Sequence, residues 1–324
     1  MKYRFLLVGA LGVALAVYLV RFVGFSAVLS AATAVGWRGF VLLCLYLIAT
    51  FPLLGLAWYT LLAEAPARYL GITIWARMVR DSAAEVLPFS QLGGIALGAR
   101  AAIIHGMPAP FAFGSMIADI TTELFAQIAF AALGVAILAT WTPRTAGAPA
   151  HTSALIAGLA LGAAAGVAFV FLQLKGRRFT EKIAARLLPR AVTTTRALVG
   201  VLDAVYRSRA RVALSATVHL TAWIASASGA WIAFRLIGSH ARWPAVIALE
   251  SLVYAVRSAA PFVPNALGVQ EAAYATIAPL FGIGAEFALA VSLIKRARDI
   301  TVGVPVLAIW QAVEGRRALA ERTG

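Results

Sequence analysis

The sequence predicts an all-α polytopic membrane protein, with about six full transmembrane helices and two re-entrant, broken-helix hairpins in an inverted repeat. Three observations predict this fold. The 324 residues are 62% hydrophobic and only 13% charged, about half the usual charged share. Apolar segments of transmembrane length recur along the chain. Two further apolar regions are interrupted by proline, glycine and charged residues, and they match each other at a fixed offset.

Six apolar segments are long enough to cross a bilayer as uninterrupted helices. They are Phe5–Val23, Gly39–Leu62, Phe111–Trp141, Ser153–Leu174, Val212–Ile237 and Ala285–Gln311. The first follows two basic residues, as a signal peptide would. Because no clear small-residue cleavage site comes after it, we expect an uncleaved first helix. Residues 1–324 are therefore expected to form a single integral membrane domain.

The two broken apolar regions are Tyr69–His105 and Pro244–Phe281. A shift of 176 positions places Pro88 on Pro264 and aligns the spans on either side. Internal repeats are common in membrane transporters, and here we predict them at about 39–141 and 215–317. Because three spans separate the broken regions, the repeats are inverted if each broken region returns to its own side.

A helix break within a membrane needs a protected environment. Pro88 and Pro264 are expected to stop helices near mid-membrane, with Ser90 and Asn265 as N-caps of the half-helices that resume. Broken backbone at that depth must lie inside protein or line a polar cavity. The N-termini of two half-helices would favour an anionic group or a hydrogen-bond acceptor at the centre.

The net charge of +15 comes from 28 Lys and Arg against 13 Asp and Glu. The basic residues form no soluble face, so we exclude nucleic acid as a partner and expect positive-inside topology and contact with anionic lipid head groups. Segment 175–211 holds ten Lys or Arg and is predicted to be a cytoplasmic linker with an amphipathic surface helix. An acidic protein partner for this linker is the alternative. The same charge rule places both chain termini in the cytoplasm, and it places Arg68, Arg77 and Arg80 at the cytoplasmic edge, beside the entry of the first hairpin.

Charged residues inside predicted spans need a reason, because a central charge costs about 3 kcal/mol or more. Asp119 and Glu123 lie at positions i and i+4, on one helix face. Lys295, Arg296 and Asp299 lie in the last span. The offset aligns Asp119 with Lys295 and Glu123 with Asp299. We therefore expect the two helices to face and neutralise each other.

These charges have two interpretations, buried ion pairs that fix the bundle or a polar cavity that holds a head group or relays protons. Intramembrane ionisable residues favour the second. Further candidates in or beside the hairpins are Glu85, Glu250, Arg257 and Glu271. We interpret His219 as a core histidine whose hydrogen bonds are satisfied.

The single cysteine and the lack of a Cys/His cluster argue against a disulfide or a metal site. No cofactor-binding motif or enzyme signature occurs in the sequence.

These motifs together resemble the flippase-like membrane family that includes the transmembrane region of lysylphosphatidylglycerol synthases. The matching positions are Pro88, Gly93–Gly94 and Arg100 in the first hairpin, Asp119 and Glu123 in the next helix, Gly268 to Glu271, and Ser292 to Arg296. More narrowly, LPFSQLGGIALGARAAIIHG and SLIKRARDITVGVPVLAIWQ look like the hopanoid-biosynthesis-associated branch. The resemblance implies a bacterial inner membrane, hopanoids or hopanoid-linked lipids as substrates, and hopanoid-biosynthesis proteins as partners.

The sequence-based hypothesis is an inner-membrane lipid translocator that is not an enzyme. Its head-group contacts would be Arg100, Arg257, Lys295 and Arg296, assisted by the half-helix starts at Ser90 and Asn265. Asp119, Glu123, Glu271 and Asp299 would balance that charge or carry protons. One alternative is a non-catalytic membrane partner of a lipid-modifying enzyme. The other is an intramembrane head-group enzyme with Glu85 and Glu271 as its acid–base pair, although aminoacylation is not expected, because the sequence contains no aminoacyl-transferase domain.

Overall fold

A computed structural model describes residues 17–18, 21, 25–62, 65–87, 90–141, 192–260 and 263–323. Over these residues the chain is helical and contains no strand. The helices are α1 (Phe25–Ala34), α2 (Gly36–Thr60), α3 (Arg68–Val86), α4 (Ser90–Ile104), α5 (Ala109–Trp141), α6 (Val192–Arg207), α7 (Arg209–Leu236), α8 (Trp243–Ser258), α9 (Val269–Ile277) and α10 (Ala285–Thr323). Short 3-10 turns at Pro264–Ala266 and Ala278–Phe281 flank α9.

Four predicted spans correspond to the long helices α2, α5, α7 and α10. Of the helices described, Gly36–Thr60 and Ala109–Trp141 are both long and apolar enough to cross a membrane. Large apolar side chains of α2 point outward, and Leu45 is 58% exposed, as expected for a surface that faces lipid. The predicted spans Phe5–Val23 and Ser153–Leu174 lie largely or wholly outside the described residues.

The first predicted helix break is confirmed. Helix α3 ends at Val86, Leu87 is extended (φ −90°, ψ 145°), and α4 begins at Ser90. The extended residue is explained by Pro88, because proline disfavours helical backbone in the residue before it. Helices α3 and α4 then pack closely through glycine. A Cβ atom at position 94 would lie 2.6 Å from the backbone oxygen of Arg80, so a larger residue would force the two helices apart.

The second break differs from the expectation. Helix α8 already ends at Ser258, before Pro264, so Pro264 does not terminate it. Asn265 is not an N-cap; its φ is 49°, and that of Ala266 is 46°. The residue that precedes α9 is Gly268, whose amide donates to a carboxylate oxygen of Glu271 at 2.8 Å. The prediction for Asn265 as a cap is therefore wrong, because this residue adopts a left-handed turn instead of the extended backbone of a cap.

The helices pack across two halves of the chain, which we define as α2–α5 (first half) and α7–α10 (second half). Helix α2 lies against α7, the broken helix α3 lies against α10, and α5 lies against α8. The first residues of α5 and α10, Ala109 and Ala285, follow the predicted offset. This arrangement is compatible with the predicted inverted repeat, which stays a prediction. Each half thus buries its broken helix against the long helix of the other half.

Helix α6 is the described helix of the basic linker, and its apolar side packs on the bundle. Val201, Leu202 and Val205 form a small core with Leu61 and Ala118. The predicted amphipathic helix is therefore present over Val192–Arg207. Part of its apolar face is covered by protein, since it contacts the end of α2 and the middle of α5.

The α2–α3 contact gives a test of this packing. A Cβ atom added at Gly55 would lie 2.4 Å from Ile74 Cγ1 and 2.5 Å from the Ile74 Cα atom, so the backbone must move. We expect Gly55→Ala to lower the free energy of unfolding by about 1–3 kcal/mol, measured by denaturant titration in detergent. Gly71→Ala is the matched control, because position 71 of α3 has open space around it. A neutral Gly55→Ala variant would contradict the close approach.

Candidate functional site

A cavity of about 420 Å³ lies between helices of both halves. This volume is within the usual range for small-molecule sites, about 300–1,000 Å³. Its apolar walls include Leu47, Phe51, Ile120, Trp223 and Val302. Its charged lining consists of Arg77, Arg80, Asp81, Glu85, Glu123, Arg257, Arg298 and Asp299. The cavity therefore combines hydrocarbon-like walls with an unusually dense set of charges for a membrane protein.

One wall is a charge cluster that joins α3 to α5. Arg77 Nη1 donates to Asp119 Oδ2 at 3.0 Å, and the two Arg77 Nη atoms donate to the two Glu123 oxygens at 2.9 and 3.0 Å. Arg80 reaches the same acids, at 3.3 Å for Asp119 and 2.9 Å for Glu123. The Arg77 and Asp119 side chains are 1% and 0% exposed. Buried charges of this kind are stable only when they are hydrogen bonded. Both Nη atoms of Arg77 are, whereas its Nε atom has no partner among the described residues.

His219 of α7 completes this cluster. Its Nε2 atom lies 2.9 Å from Asp119 Oδ1, and both side chains are fully buried. Its Nδ1 atom has no hydrogen-bond partner among the described residues. His219 is a core residue, as expected, but its partner is Asp119, so it belongs to the charge cluster. Asp119 thereby binds to groups from two other helices, α3 and α7.

A second buried cluster is centred on Lys295 of α10. Lys295 Nζ donates to Glu250 of α8 at 2.5 Å and to the Tyr274 hydroxyl of α9 at 2.9 Å. The Tyr274 hydroxyl in turn donates to Glu250. Lys295 Nζ also lies 5.3 Å from the ring centre of Tyr254, within cation–π range. Tyr254 lines the cavity, whereas Glu250, Tyr274 and Lys295 lie outside its lining.

Arg296, one residue further along α10, points to the left-handed turn. It forms an ion pair with Glu271, with Nε to Oε1 at 2.6 Å, and donates to the backbone oxygen of Asn265 at 3.2 Å. A weaker contact reaches the backbone oxygen of Ala266 at 3.4 Å. Left-handed backbone costs a non-glycine residue roughly 1–2 kcal/mol. Arg296 therefore holds two residues in a strained conformation.

The turn also belongs to a bridge between the ends of α3 and α8, which we call the hairpin bridge (Glu85, Arg257 and Asn265). Arg257 Nη2 donates to Glu85 at 2.9 Å and makes a longer contact with Asn265 Oδ1 at 3.4 Å. Asn265 Nδ2 donates to the backbone oxygen of Glu85 at 2.6 Å. All three residues line the cavity. The bridge therefore closes one side of the cavity with polar contacts between the halves.

A family model for the transmembrane region of lysylphosphatidylglycerol synthases matches residues 5–307, which include both halves and every residue of the cavity lining. The chain belongs to this family. It is therefore a membrane protein of a lipid-related family. No curated protein and no solved structure gave a significant match.

In this family member, the charges of α5 and α10 do not neutralise each other as expected. Asp119 and Glu123 bind Arg77 of α3, and Lys295 binds Glu250 of α8, each within its own half. Other charged contacts, such as Glu85 with Arg257, cross between the halves. The polarity is reversed between the halves, since the broken helix supplies bases in α3 and an acid in α8. The first residues of α5 and α10 follow the offset, but an offset does not specify which helix each side chain faces.

The predicted site residues are distributed over three places. Glu85, Glu123, Arg257, Asn265 and Asp299 line the cavity, and Asp119 lies directly behind it in the charge cluster. Glu271, Lys295 and Arg296 lie outside the lining. Arg100 is 46% exposed and pairs with Glu314 at 2.6 Å, away from the cavity lining. Ser90 is the first residue of α4.

Sequence reasoning missed four cavity residues, Arg77, Arg80, Asp81 and Arg298. The first two were assigned to the cytoplasmic edge of the membrane by the positive-inside rule. Their spacing carried a signal, because positions 77, 80, 81 and 85 share one face of a helix. Among the described residues, no group of three or more His, Cys, Asp or Glu side chains could hold a metal ion.

A double-mutant cycle tests the pairing within the second half. Replacing Glu250 with Leu leaves Lys295 buried and charged without its partner, so we expect a loss of about 3–5 kcal/mol in the free energy of unfolding. Adding Lys295→Met removes the stranded charge and should recover most of that loss. The comparison cycle uses Asp119→Asn with Lys295→Met, which we expect to be additive. Strong coupling in the second cycle, with none in the first, would contradict the observed pairing.

The strained turn predicts that one substitution by glycine stabilises the protein. Ala266 has φ 46° and is buried, so glycine should relieve its backbone strain. We expect Ala266→Gly to raise the free energy of unfolding by about 1 kcal/mol. Ala132→Gly, at an exposed position within α5, should lower it by a similar amount, about 1 kcal/mol. If both variants lose stability equally, the left-handed turn does not carry the strain.

Proposed function

We propose that the chain is a lipid translocator of the bacterial inner membrane, with both termini in the cytoplasm. The lipid head group occupies the cavity, while the apolar body of the lipid remains in the bilayer. The observation that supports this most directly is a charged cavity of about 420 Å³ inside the helix bundle of a membrane protein from a lipid-related family.

The physical argument is one of solvation. A polar or charged group costs several kcal/mol to bring into hydrocarbon, which keeps lipid head groups in their own leaflet. Polar side chains of the lining, such as Arg257, Gln127 and Ser226, can replace part of the water around a head group. The apolar walls suit the first carbons of the lipid body. The cavity therefore lowers the barrier that the bilayer presents.

Translocation requires the cavity to open alternately to two sides, so some contact must break and re-form. The hairpin bridge is the best candidate for that contact. It joins the two halves, it lines the cavity, and its Asn265–Ala266 segment is strained. Strain in the observed state reduces the free energy needed to leave it, which is how two-state elements are poised.

The resemblance to the hopanoid-associated branch supports hopanoids or hopanoid-linked lipids as candidate substrates and hopanoid-biosynthesis proteins as candidate partners. The role of a partner without transport activity is the alternative. The geometry does not favour the third hypothesis, an acid–base pair of Glu85 and Glu271. Glu271 lies outside the cavity lining, and its oxygens accept hydrogen bonds from Arg296, Ser292 and the Gly268 amide.

Leaflet exchange in proteoliposomes tests the translocator. Acyl-labelled lipid probes and an external quencher report movement between leaflets. We expect wild-type protein to accelerate exchange, and Arg257→Gln to slow it by at least about tenfold, because Glu85 loses its charged partner in the cavity wall. Arg257 is substituted in preference to Asp119, because Asp119 is contacted by three other side chains and its loss would disturb more of the bundle.

The matched control for this experiment is Arg316→Gln. It removes the same charge at an exposed position near the end of α10, away from the cavity lining. Its exchange rate should equal that of wild type. Folded wild-type protein that moves no phospholipid or hopanoid probe would overturn the translocator and favour the partner hypothesis. Equal exchange rates for wild type and Arg257→Gln would show that translocation does not depend on the hairpin bridge.

A further inference from the structure

Arg298 and Asp299 are neighbours on α10, and both line the cavity. Arg298 Nε and Nη2 both donate to Asp299 Oδ1, at 3.0 and 2.7 Å. Their side chains are 7% and 17% exposed. Adjacent residues on a helix do not normally face each other, so this contact requires both side chains to turn toward a common direction. That direction is the cavity.

This pair differs from the ion pairs of the described cavity lining that join helices. Asp81 also pairs within one helix, with Arg77 and Arg80 of α3, but both of these arginines contact α5 as well. Arg77 and Arg80 join α3 to α5 through Glu123, and Arg257 joins α8 to α3 through Glu85. The Arg298–Asp299 contact lies within one helix and holds no two helices together. Exchanging it for contacts with a ligand therefore leaves the packing of the bundle intact.

The pair also retains unused hydrogen-bonding capacity of both signs. Both donations of Arg298 end on Asp299 Oδ1, and in the described part of the chain no hydrogen bond involves Arg298 Nη1 or Asp299 Oδ2. One of these atoms is a cationic donor and the other an anionic acceptor. A ligand that carried both charges could engage both atoms.

The lining as a whole is charge-balanced, with four arginines and four carboxylates among its described residues. An anionic head group would add a fifth negative charge and compete with carboxylates that are already paired. A zwitterionic head group adds no net charge, since each of its groups replaces one partner of an existing pair. An unbalanced charge costs more free energy in this cavity than in bulk water, because apolar walls lower the local dielectric constant.

We propose that Arg298 and Asp299 form the recognition site for a zwitterionic lipid head group, with its phosphate on the arginine and its ammonium on the aspartate. This inference rests on the proposed function and names the head-group class of the same cavity. The ammonium is assigned to Asp299 because Asp299 Oδ2 is an anionic acceptor without a hydrogen bond among the described residues, whereas the Tyr254 ring of the lining already has Arg257 and Lys295 at 5.5 and 5.3 Å from its centre. The apolar body of the lipid is not specified by this pair.

Probes with identical labelled acyl chains and different head groups test the selectivity. The three probes are phosphatidylethanolamine (zwitterionic), phosphatidylglycerol (anionic) and a glucosyl diacylglycerol (uncharged). We expect the first to exchange about tenfold faster than either of the others. Equal or faster exchange of phosphatidylglycerol, or of the uncharged lipid, would overturn the inference.

Two variants that each remove one charge should shift this preference in opposite directions. Asp299→Asn leaves an excess arginine, so the ratio of phosphatidylglycerol to phosphatidylethanolamine exchange should rise about tenfold. Arg298→Gln leaves an excess carboxylate and should lower the same ratio. A folding defect slows all probes together and leaves the ratio unchanged, so an unchanged ratio in both variants would count against the site. Arg316→Gln serves again as the charge-matched control.

Binding to the purified protein separates this inference from translocation. Native mass spectrometry of protein mixed with equal amounts of chain-matched phosphatidylethanolamine and phosphatidylglycerol measures which lipid is retained. Retention of phosphatidylethanolamine without any exchange would refute translocation and support the recognition site. Preferential retention of phosphatidylglycerol would refute the site, whatever the exchange result. Competition by soluble glycerophosphoethanolamine distinguishes recognition of the head group from recognition of the whole lipid.

Discussion

The structure depends on one constraint: every charge at the centre of the bundle must have a charged partner. Asp119 shows how this is met, because it accepts hydrogen bonds from Arg77 and Arg80 and contacts His219, which brings three helices together. Charges that would be costly alone thus become the contacts that position α3, α5 and α7. Arg77 and Arg80 of this cluster also line the cavity, so the same ion pairs that join the helices form one of its walls.

The two halves pair their buried charges with the acidic and basic residues exchanged between the broken helix and the long helix. In the first half, the broken helix carries arginines and the long helix carries acids; in the second, Glu250 of α8 meets Lys295 of α10. The outcome for the lining is a near-equal number of positive and negative groups rather than a basic pocket. The protein has a net charge of +15, but the described lining of its cavity contains equal numbers of positive and negative side chains.

The positions of the long helices and the first break could be predicted from the sequence, because apolar length and Pro88 act locally. The partners of the charged residues could not, because periodicity specifies a helix face but not the helix opposite it. The positive-inside rule misled us for Arg77 and Arg80, which lie inside the bundle instead of at its edge. The turn at Asn265 was also missed, since its left-handed backbone is fixed by Arg257, Arg296 and the Glu85 carbonyl, all distant in sequence.

The exchange of packing partners between the halves has a mechanical consequence. Helix α3 lies against α10, and α5 lies against α8. These two spatial groups, α3 with α10 and α5 with α8, each combine one helix from the first half with one from the second half. The ion pairs Arg77–Glu123, Glu85–Arg257 and Glu250–Lys295 all run from one spatial group to the other. Apolar side chains of both groups also share two core clusters. Water that entered with a ligand would raise the local dielectric constant and weaken the ion pairs more than the apolar contacts. Hydration of the cavity would therefore ease movement of the two groups relative to each other.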